Sequence, residues 1–462
     1  MRFIGIDLGT TSISGVALDL EKGTSTAISR QNNSNLGSKN TWEALQDPEL
    51  IAGIAQEIID QFIDDGPGIA GIGITGQMHG ILYVDLDGNP LSPLFTWQDG
   101  RGNLLYKNDR SYAEFLSRET GSPVASGYGL VTHFYNSCHG LIPANAAKLC
   151  TITDFLVMKL TGRKTPVIDP SNAAALGFFD LKKLRFNEGS LKKVALDCRI
   201  LPEVRPSGEL AGYYQKSIPV YVGIGDNQAG FLGAVRDLPN SILVNVGTSA
   251  QLSIYSTKYV RIKTFETRPF PGGGYLLTGA ALCGGKSLSL LKTFFADTLK
   301  LFGHSPDEGA DFYQIISQME DTAFPKDLPK VAPFFNGRRT DPRARGVISN
   351  LSLTNFTPEN LIVGFTKGIV DEIFEFYQKM PAKLRRKQFL VGAGNAVRYN
   401  KLLGRSLEDQ FGRRLHIPKH REEAAFGACL LAAAAGKYID HLFNAGGMIE
   451  FEAAKSPVIG RP

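Results

Sequence analysis

The sequence predicts a mixed α/β chain built from two related units, and three observations carry that prediction. The chain has 462 residues, too many for one ordinary hydrophobic core and suited to two large domains. Short β-branched runs alternate with stretches of helical periodicity. Most telling is a signature that occurs twice. Ile4-Gly5-Ile6-Asp7-Leu8-Gly9-Thr10-Thr11-Ser12 is echoed 238 positions later by Ile242-Leu243-Val244-Asn245-Val246-Gly247-Thr248-Ser249-Ala250. Each copy reads as a strand that breaks at a Gly-Thr turn and resumes with alternating apolar residues. Self-similarity on that scale points to a duplicated unit, not a short-period solenoid. A strand ending in glycine and hydroxyl residues offers N–H and O–H donors to an anion, above all a phosphate. Two such turns suit the grip of one polyphosphate, so the chain reads as a two-lobed nucleotide-using protein.

Taken in order, Phe3–Leu8, Ser12–Leu18 and Ser25–Ser29 read as three strands, followed by a polar loop from Gln31 to Asn40. Asp47-Pro48 opens a helix by the N-cap and first-turn-proline rule. Its apolar positions Leu50, Ile51, Ile54, Ile58, Ile59 and Phe62 recur at helical spacing. Ile69–Thr75 is a buried strand running into Gln77-Met78-His79-Gly80, and Ile81–Val84 continues the meander. Residues 104–215 show no dominant period and receive no assignment. Val220–Ile224 is a strand leading into Gly225-Asp226-Asn227. The second unit starts with Ile242–Val246 and adds the hairpin strands Gln251–Tyr255 and Tyr275–Thr278. Helices near Lys286–Phe295 and Glu359–Tyr377, the strand Phe389–Val391 and a helix from Glu422 to Ala435 complete it. The division is expected at a packed hinge near Val235–Pro239, giving units 1–237 and 238–462.

Composition excludes several classes. Lys+Arg total 50 against Asp+Glu 45, a net charge of +5 without an arginine- or lysine-rich stripe, so no nucleic-acid partner is expected. The five cysteines are scattered with no C-x-x-C pair, which indicates neither a disulfide framework nor a zinc site and suits a reducing cytoplasm. Asp7 interrupts the first apolar run, against a signal peptide. The alanine-rich stretch around Ala428–Ala435 is far too short to span a bilayer, so no membrane partner is expected.

Two carboxylates are placed for chemistry. Asp7 closes a buried strand beside a phosphate-type turn, where it either caps the turn or holds Mg²⁺. Asp226 follows a buried strand at a helix start, where it either serves as a helix N-cap or takes a proton from a substrate hydroxyl. Gln77, Met78 and His79 follow a buried strand, where ligand sites in α/β folds tend to lie. Trp97-Gln98-Asp99-Gly100-Arg101 gathers a ring, a carboxylate and a guanidinium that suit a polyhydroxy ligand or an internal ion pair equally. Gly279–Ser287 resembles a Walker A loop but has Ala280 where glycine is required, so it is not a P-loop.

With these residues assembled, the chain resembles the FGGY carbohydrate kinases end to end. The elements occur in that family's order: Asp7-Leu8-Gly9-Thr10-Thr11, Gln77-Met78-His79-Gly80, Trp97-Gln98-Asp99-Gly100-Arg101, Gly225-Asp226-Asn227, Val246-Gly247-Thr248-Ser249, Gly392-Ala393-Gly394-Asn395 and Glu423-Ala424-Ala425-Phe426-Gly427-Ala428. The resemblance implies two actin-like, ribonuclease-H-like domains with a cleft between them. It implies ATP and Mg²⁺ as cofactors, and a small-molecule ketose as substrate for a monomer or homodimer. Gln-Met-His-Gly points to ketose kinases over glycerol kinases. The implied reaction is phosphorylation of a primary hydroxyl, sedoheptulose to sedoheptulose 7-phosphate, with D-xylulose or another pentulose as the alternative. From a different class, an actin-fold ATPase without a sugar substrate is the competing reading. Carried over by position, Asp226 is the general base, with Asp7 at the metal–phosphate end beside Thr10 and Thr11. Gln77, Met78, His79, Trp97, Asp99 and Asn227 face the sugar. Gly247 and Thr248 meet the nucleotide phosphates, and Gly285, Gly394 and Asn395 lie along the adenosine.

Overall fold

The protein is described by a computed structural model covering residues 1–305, 311–319, 324–339, 341 and 343–453. It divides into two compact units. The first comprises Met1–Arg236, Arg268–Tyr275 and His420–Met448, and the second the described residues within Asp237–Thr267, Leu276–Lys419 and Ile449–Pro462. The chain first changes unit at Arg236/Asp237. The contiguous division expected at 237/238 nevertheless differs from what is seen, because two later segments pack with the first unit. Phe270 meets Phe231 edge-on at 5.9 Å, and Gln228 donates to the Pro269 carbonyl at 3.1 Å.

The first unit is organised on a seven-stranded sheet. Strands β1 (Arg2–Leu8), β2 (Ser12–Asp19) and β3 (Thr24–Gln31) form an antiparallel meander. Helix α1 (Pro48–Asp64) is capped by Asp47, whose carboxylate accepts from the Glu49 and Leu50 N–H groups. Its buried stripe of Ile51, Ala55, Ile58, Ile59 and Phe62 covers β2, where a Cβ on Gly15 would lie 2.4 Å from Ile58. Strand β4 (Ile69–Gly76) lies parallel to β1, and its last six residues are all buried. Further on, β5 (Leu210–Tyr214) and β6 (Ile218–Tyr221) complete the order β5-β6-β4-β1-β2-β3, while the short β7 (Ile224–Gly225) pairs with the end of β4. Helix α2 (Asp226–Ala234) starts at once after β7.

Residues 104–215 hold four helices of seven to ten residues, Tyr112–Thr120, Gly129–Cys138, Ile152–Thr161 and Pro170–Leu176. Several of them share a separate aromatic-rich core with Tyr83, Phe95, Tyr112, Leu116, Phe134 and Leu176.

The second unit repeats the first pattern. Strands β8 (Ser241–Val246), β9 (Ala250–Ser256), β10 (Glu266–Pro269) and β11 (Tyr275–Ala281) are followed by helices α3 (Gly285–Leu301) and α4 (Pro358–Lys379), with Arg268, Pro269 and Tyr275 of these strands belonging to the first unit. Strands β12 (Phe389–Ala393) and β13 (Leu415–His416) close the order β10-β11-β9-β8-β12-β13. Strand β8 is antiparallel to β9 and parallel to β12, as β1 is to β2 and β4. The two copies of the sequence signature therefore occupy equivalent hairpins. They differ in one detail: Leu8 faces Ile13 across the first turn, whereas Val246 faces Ala250, so the second turn is one residue tighter.

The last long helix, α5 (Glu423–Ala435), returns to the first unit and is seated there by glycines. A Cβ on Gly5 of β1 would lie 1.9 Å from the Ala425 carbonyl oxygen, and one on Gly73 of β4 would lie 2.0 Å from that of Ala428. Where α5 crosses α2, Cβ atoms on Gly427 and Gly233 would each lie 1.9 Å from a carbonyl oxygen of the other helix. Backbone-to-backbone approach of this kind leaves no side chain to give way. Gly5→Ala is therefore expected to cost at least about 2 kcal/mol of stability, read as a lowered urea midpoint. A midpoint equal to wild type would show that the helix seat is looser than described. Among the described residues no helix is long and apolar enough to cross a membrane.

Candidate active site

In the first unit, β1, β4, β7 and α2 bring the predicted carboxylates together. Asp7 lies next to last in β1, opposite Thr75 of β4. Its Oδ1 is buried and has no hydrogen-bond partner, so of the two readings open from sequence, turn cap or ion holder, that atom caps nothing. Burial first, and then the charges of Asp226 and Glu422, push its carboxyl up to about 8. Glu422, expected from sequence only as the first residue of the last helix, instead lies just outside it. It precedes α5 with a left-handed backbone (φ 59°), a feature that β- or α-periodicity cannot reveal.

Asp226 is the first residue of α2, and Gly225 holds the N-cap position, so Asp226 does not act as an N-cap. Burial raises its carboxyl to about 6, opposed first by the Arg268 guanidinium and then by the backbone and side chain of Asn227. Asn227 Nδ2 donates to Asp226 Oδ1 at 2.9 Å and approaches Met78 Sδ at 3.6 Å. The start of α2 is fixed from behind. The Gly225 N–H donates to Ser171 Oγ at 3.0 Å, Ser171 Oγ donates to Asp169, and Thr75 Oγ1 donates to the Ile224 carbonyl at 2.9 Å. A Cβ on Gly225 would lie 2.4 Å from Met78 Cε, so a larger residue here would push the flexible end of Met78 aside.

The remaining predicted residues divide into two groups. Met78, His79 and Asn227 stand with Asp226. Gln77 and Trp97 instead stand around Thr10. Trp97 Nε1 donates to Thr10 Oγ1 at 2.9 Å, Thr10 Oγ1 donates to Gln77 Oε1 at 3.5 Å, and Gln77 Nε2 donates to Gln46 Oε1 at 2.8 Å. Both polar ends of Gln77 are thus engaged in holding the first Gly-Thr turn, and the residue is buried. Thr11 is exposed on that turn.

Asp99 corrects the expectation of a ligand contact. It is fully buried and accepts from Arg101 Nε at 2.7 Å and from Nη2 at 3.1 Å. Arg101 in turn lies over the Phe95 ring at 4.3 Å and bonds Asn136. Asp99 and Arg101 form an internal ion pair with no face left for a sugar. Its physical logic is the pairing that a charge needs once taken out of water.

In the second unit the predicted glycine-rich segments converge. The Gly284 and Lys286 N–H groups donate to the Thr248 carbonyl at 2.9 and 3.2 Å, and the Gly285 N–H donates to the Gly247 carbonyl at 2.8 Å. The turn after β8 is thereby tied to the N-terminus of α3. Gly394 takes φ 83°, and a Cβ there would lie 2.5 Å from Asn245 Oδ1 and 2.6 Å from the Val246 carbonyl oxygen. Asn395 begins the next helix. Gly247 and Thr248 are exposed, and a Cβ on Gly247 would meet nothing within 4 Å. An exposed Gly-Thr turn tied by its backbone to a helix N-terminus is a form that admits phosphates. Among the described residues no cluster of three or more His, Cys, Asp or Glu is arranged as a metal cage.

Residues 2–237 match the model of the FGGY family of carbohydrate kinases, N-terminal domain. Sedoheptulokinase of Mus musculus is 25% identical over 93% of this chain and 96% of its own length, and glycerol kinase of Aquifex aeolicus is 27% identical over 93% and 88%. The crystal structure of xylulose kinase from Rhodospirillum rubrum superposes with a TM-score of 0.84 at 20% identity, covering 99% of this chain and 95% of that one. The duplicated signature, the paired sheets and the ordered motifs thus agree with an extended sequence match: the chain belongs to the FGGY family of carbohydrate kinases and is a sugar-kinase phosphotransferase.

Proposed function

We propose that this enzyme uses ATP to phosphorylate a ketose at a primary hydroxyl, with sedoheptulose, giving sedoheptulose 7-phosphate, the first substrate. The observation that carries the reaction is Asp226: a half-buried carboxylate at a helix start, flanked by Asn227, Met78 and Arg268. The choice of sugar is supported by Gln77-Met78-His79-Gly80 and by the breadth of the match to the mouse sedoheptulokinase.

In this reading Asp226 accepts the proton of the attacking hydroxyl. The freed oxygen bonds to the γ-phosphorus as the bond to the bridging oxygen breaks, and ADP leaves with that oxygen. Asn227 and Met78 orient Asp226 and the sugar. Gly247 and Thr248 present the exposed turn after β8 to the nucleotide phosphates, while Gly285, Gly394 and Asn395 line the adenosine side. Thr10 and Thr11 border the transferring phosphate, with Trp97 and Gln77 holding Thr10 in place. Asp7 suits Mg²⁺: its buried Oδ1 lacks a partner, and Mg²⁺ typically takes only one or two protein carboxylates alongside substrate phosphates. When bound there, Mg²⁺ would neutralise charge on the phosphates. The sugar and base functions are assigned to 1–237 and the nucleotide function to 238–462. The five cysteines are all free thiols, which suits a cytoplasmic enzyme.

The substrate is tested by measuring kcat/KM with sedoheptulose, D-xylulose, L-ribulose and glycerol at fixed Mg²⁺-ATP. Sedoheptulose is expected to lead. A clear lead for D-xylulose would keep the mechanism and replace the substrate.

A further inference from the structure

Arg268 reaches the Asp226 site from the end of β10, a position that no sequence motif marks. It is largely buried. Its Nη1 lies 3.0 Å from Met78 Sδ, the sulfur that Asn227 Nδ2 approaches at 3.6 Å while donating to Asp226 Oδ1. Its Nη2 lies 3.1 Å from His79 Nε2, and its charge also opposes the rise of the Asp226 carboxyl. His79 is held on its other sides too. Its Nδ1 lies 2.7 Å from the Ala175 carbonyl oxygen, its ring lies tilted against Tyr128 with centroids 4.5 Å apart, and its backbone has φ 75°.

The two ring contacts determine the protonation of His79 independently and agree. A carbonyl oxygen only accepts, so Nδ1 must carry the hydrogen. A guanidinium only donates, so Nε2 must offer its lone pair. A proton on Nε2 would set donor against donor and charge against charge.

We propose that Arg268 is a positioning residue for the base Asp226, and that His79 serves as its neutral support, locked as the Nδ1–H tautomer with Nε2 occupied by the guanidinium. His79 then neither transfers a proton nor donates from Nε2 to a sugar hydroxyl. Its part is to hold the guanidinium beside Asp226 together with Met78. This deepens the sugar-kinase reading and rests on it for the role of Asp226, whereas the state of the ring does not depend on any substrate.

The test uses the full chain labelled with ¹⁵N-histidine, with the His79 signals assigned by their loss in His79→Asn. Ring ¹⁵N shifts of the wild type are expected to show a protonated Nδ1 and an unprotonated, hydrogen-bonded Nε2. Arg268→Met is expected to shift the Nε2 resonance and lower kcat by about 10- to 100-fold, the loss of one hydrogen bond to a charged group, with a smaller change in sugar KM. Arg268→Lys should recover part of kcat. A wild-type ring protonated at Nε2, or an unchanged kcat in Arg268→Met, overturns the proposal. If Arg268→Met does not fold, the wild-type spectrum and the kcat of Arg268→Lys decide. If the wild type phosphorylates no sugar, the sugar-kinase reading fails, and the ring spectrum alone decides the Arg268–His79 lock.

Discussion

Asp226→Asn is expected to lower kcat by about 10²- to 10⁴-fold, the usual contribution of a general base, while changing the sugar KM little. The substitution keeps volume and shape at the first position of α2. It leaves intact the supports behind that position, since the Ser171 contact is made by the Gly225 N–H and the Thr75 contact by the Ile224 carbonyl. What it removes is the ability to take a proton. The carboxyl sits at about 6 because burial raises it and Arg268 restrains the rise. That places the free base within reach of neutral pH while keeping it basic enough to accept a hydroxyl proton. Steady-state ADP release and sugar titration separate the two constants. Near-normal kcat with intact sugar binding would show that the base lies elsewhere.

Asp7→Asn is expected to act in opposite directions on stability and turnover. A carboxyl raised from 3.8 to about 8 by burial and by Asp226 and Glu422 binds its proton more tightly folded than unfolded. The stability linked to it is complete below the unfolded value and is lost as pH rises through the folded one. The ligand-free protein therefore carries a penalty at pH 8 that it lacks at pH 4. An amide removes the charge, so Tm at pH 8 should rise, by an amount corresponding to roughly 1 kcal/mol or more. Turnover should fall by about 10²-fold or more, as when a group aimed at transition-state charge is removed. Thermal melts of wild type and variant at pH 5 and pH 8, with ADP release on the same samples, check both. An unchanged Tm at pH 8 would contradict the crowding of carboxylates. Unchanged turnover would contradict the role of Asp7.

Trade-offs of this kind belong to functional sites, where local rules are broken for chemistry. They also explain what the sequence revealed. The strand–turn–strand signatures were legible because both faces of β1 and β8 are largely buried and their turns carry glycine and hydroxyl residues. Helix α1 announced itself through Asp47-Pro48 and a single apolar stripe. Residues 104–215 gave no comparable signal, for a physical reason. Their helices are short, and Gly129–Cys138 and Ile152–Thr161 are buried around most of their circumference, so no period of 3.6 separates a wet face from a dry one. Asp99 was equally open to a ligand or to an ion pair, and the decision came from Arg101, Phe95 and Asn136, two of which lie outside its motif. The parts that Arg268 and Glu422 play were invisible because their relation to Asp226 and Asp7 is purely tertiary. The return of α5 to the first unit was hidden in the same way. Gly5, Gly73, Gly233 and Gly427 look like ordinary glycines until the backbones they admit are known.

The most direct test of the central claim is to follow the phosphoryl group itself. Purified protein is incubated with Mg²⁺-ATP, with and without sedoheptulose, and the products are resolved by ³¹P NMR. A sugar monophosphate formed one-for-one with ADP, with ADP release falling to near background when sugar is omitted, is the predicted result. Inorganic phosphate and ADP formed equally with or without a sugar would contradict it and identify a sugar-independent ATPase.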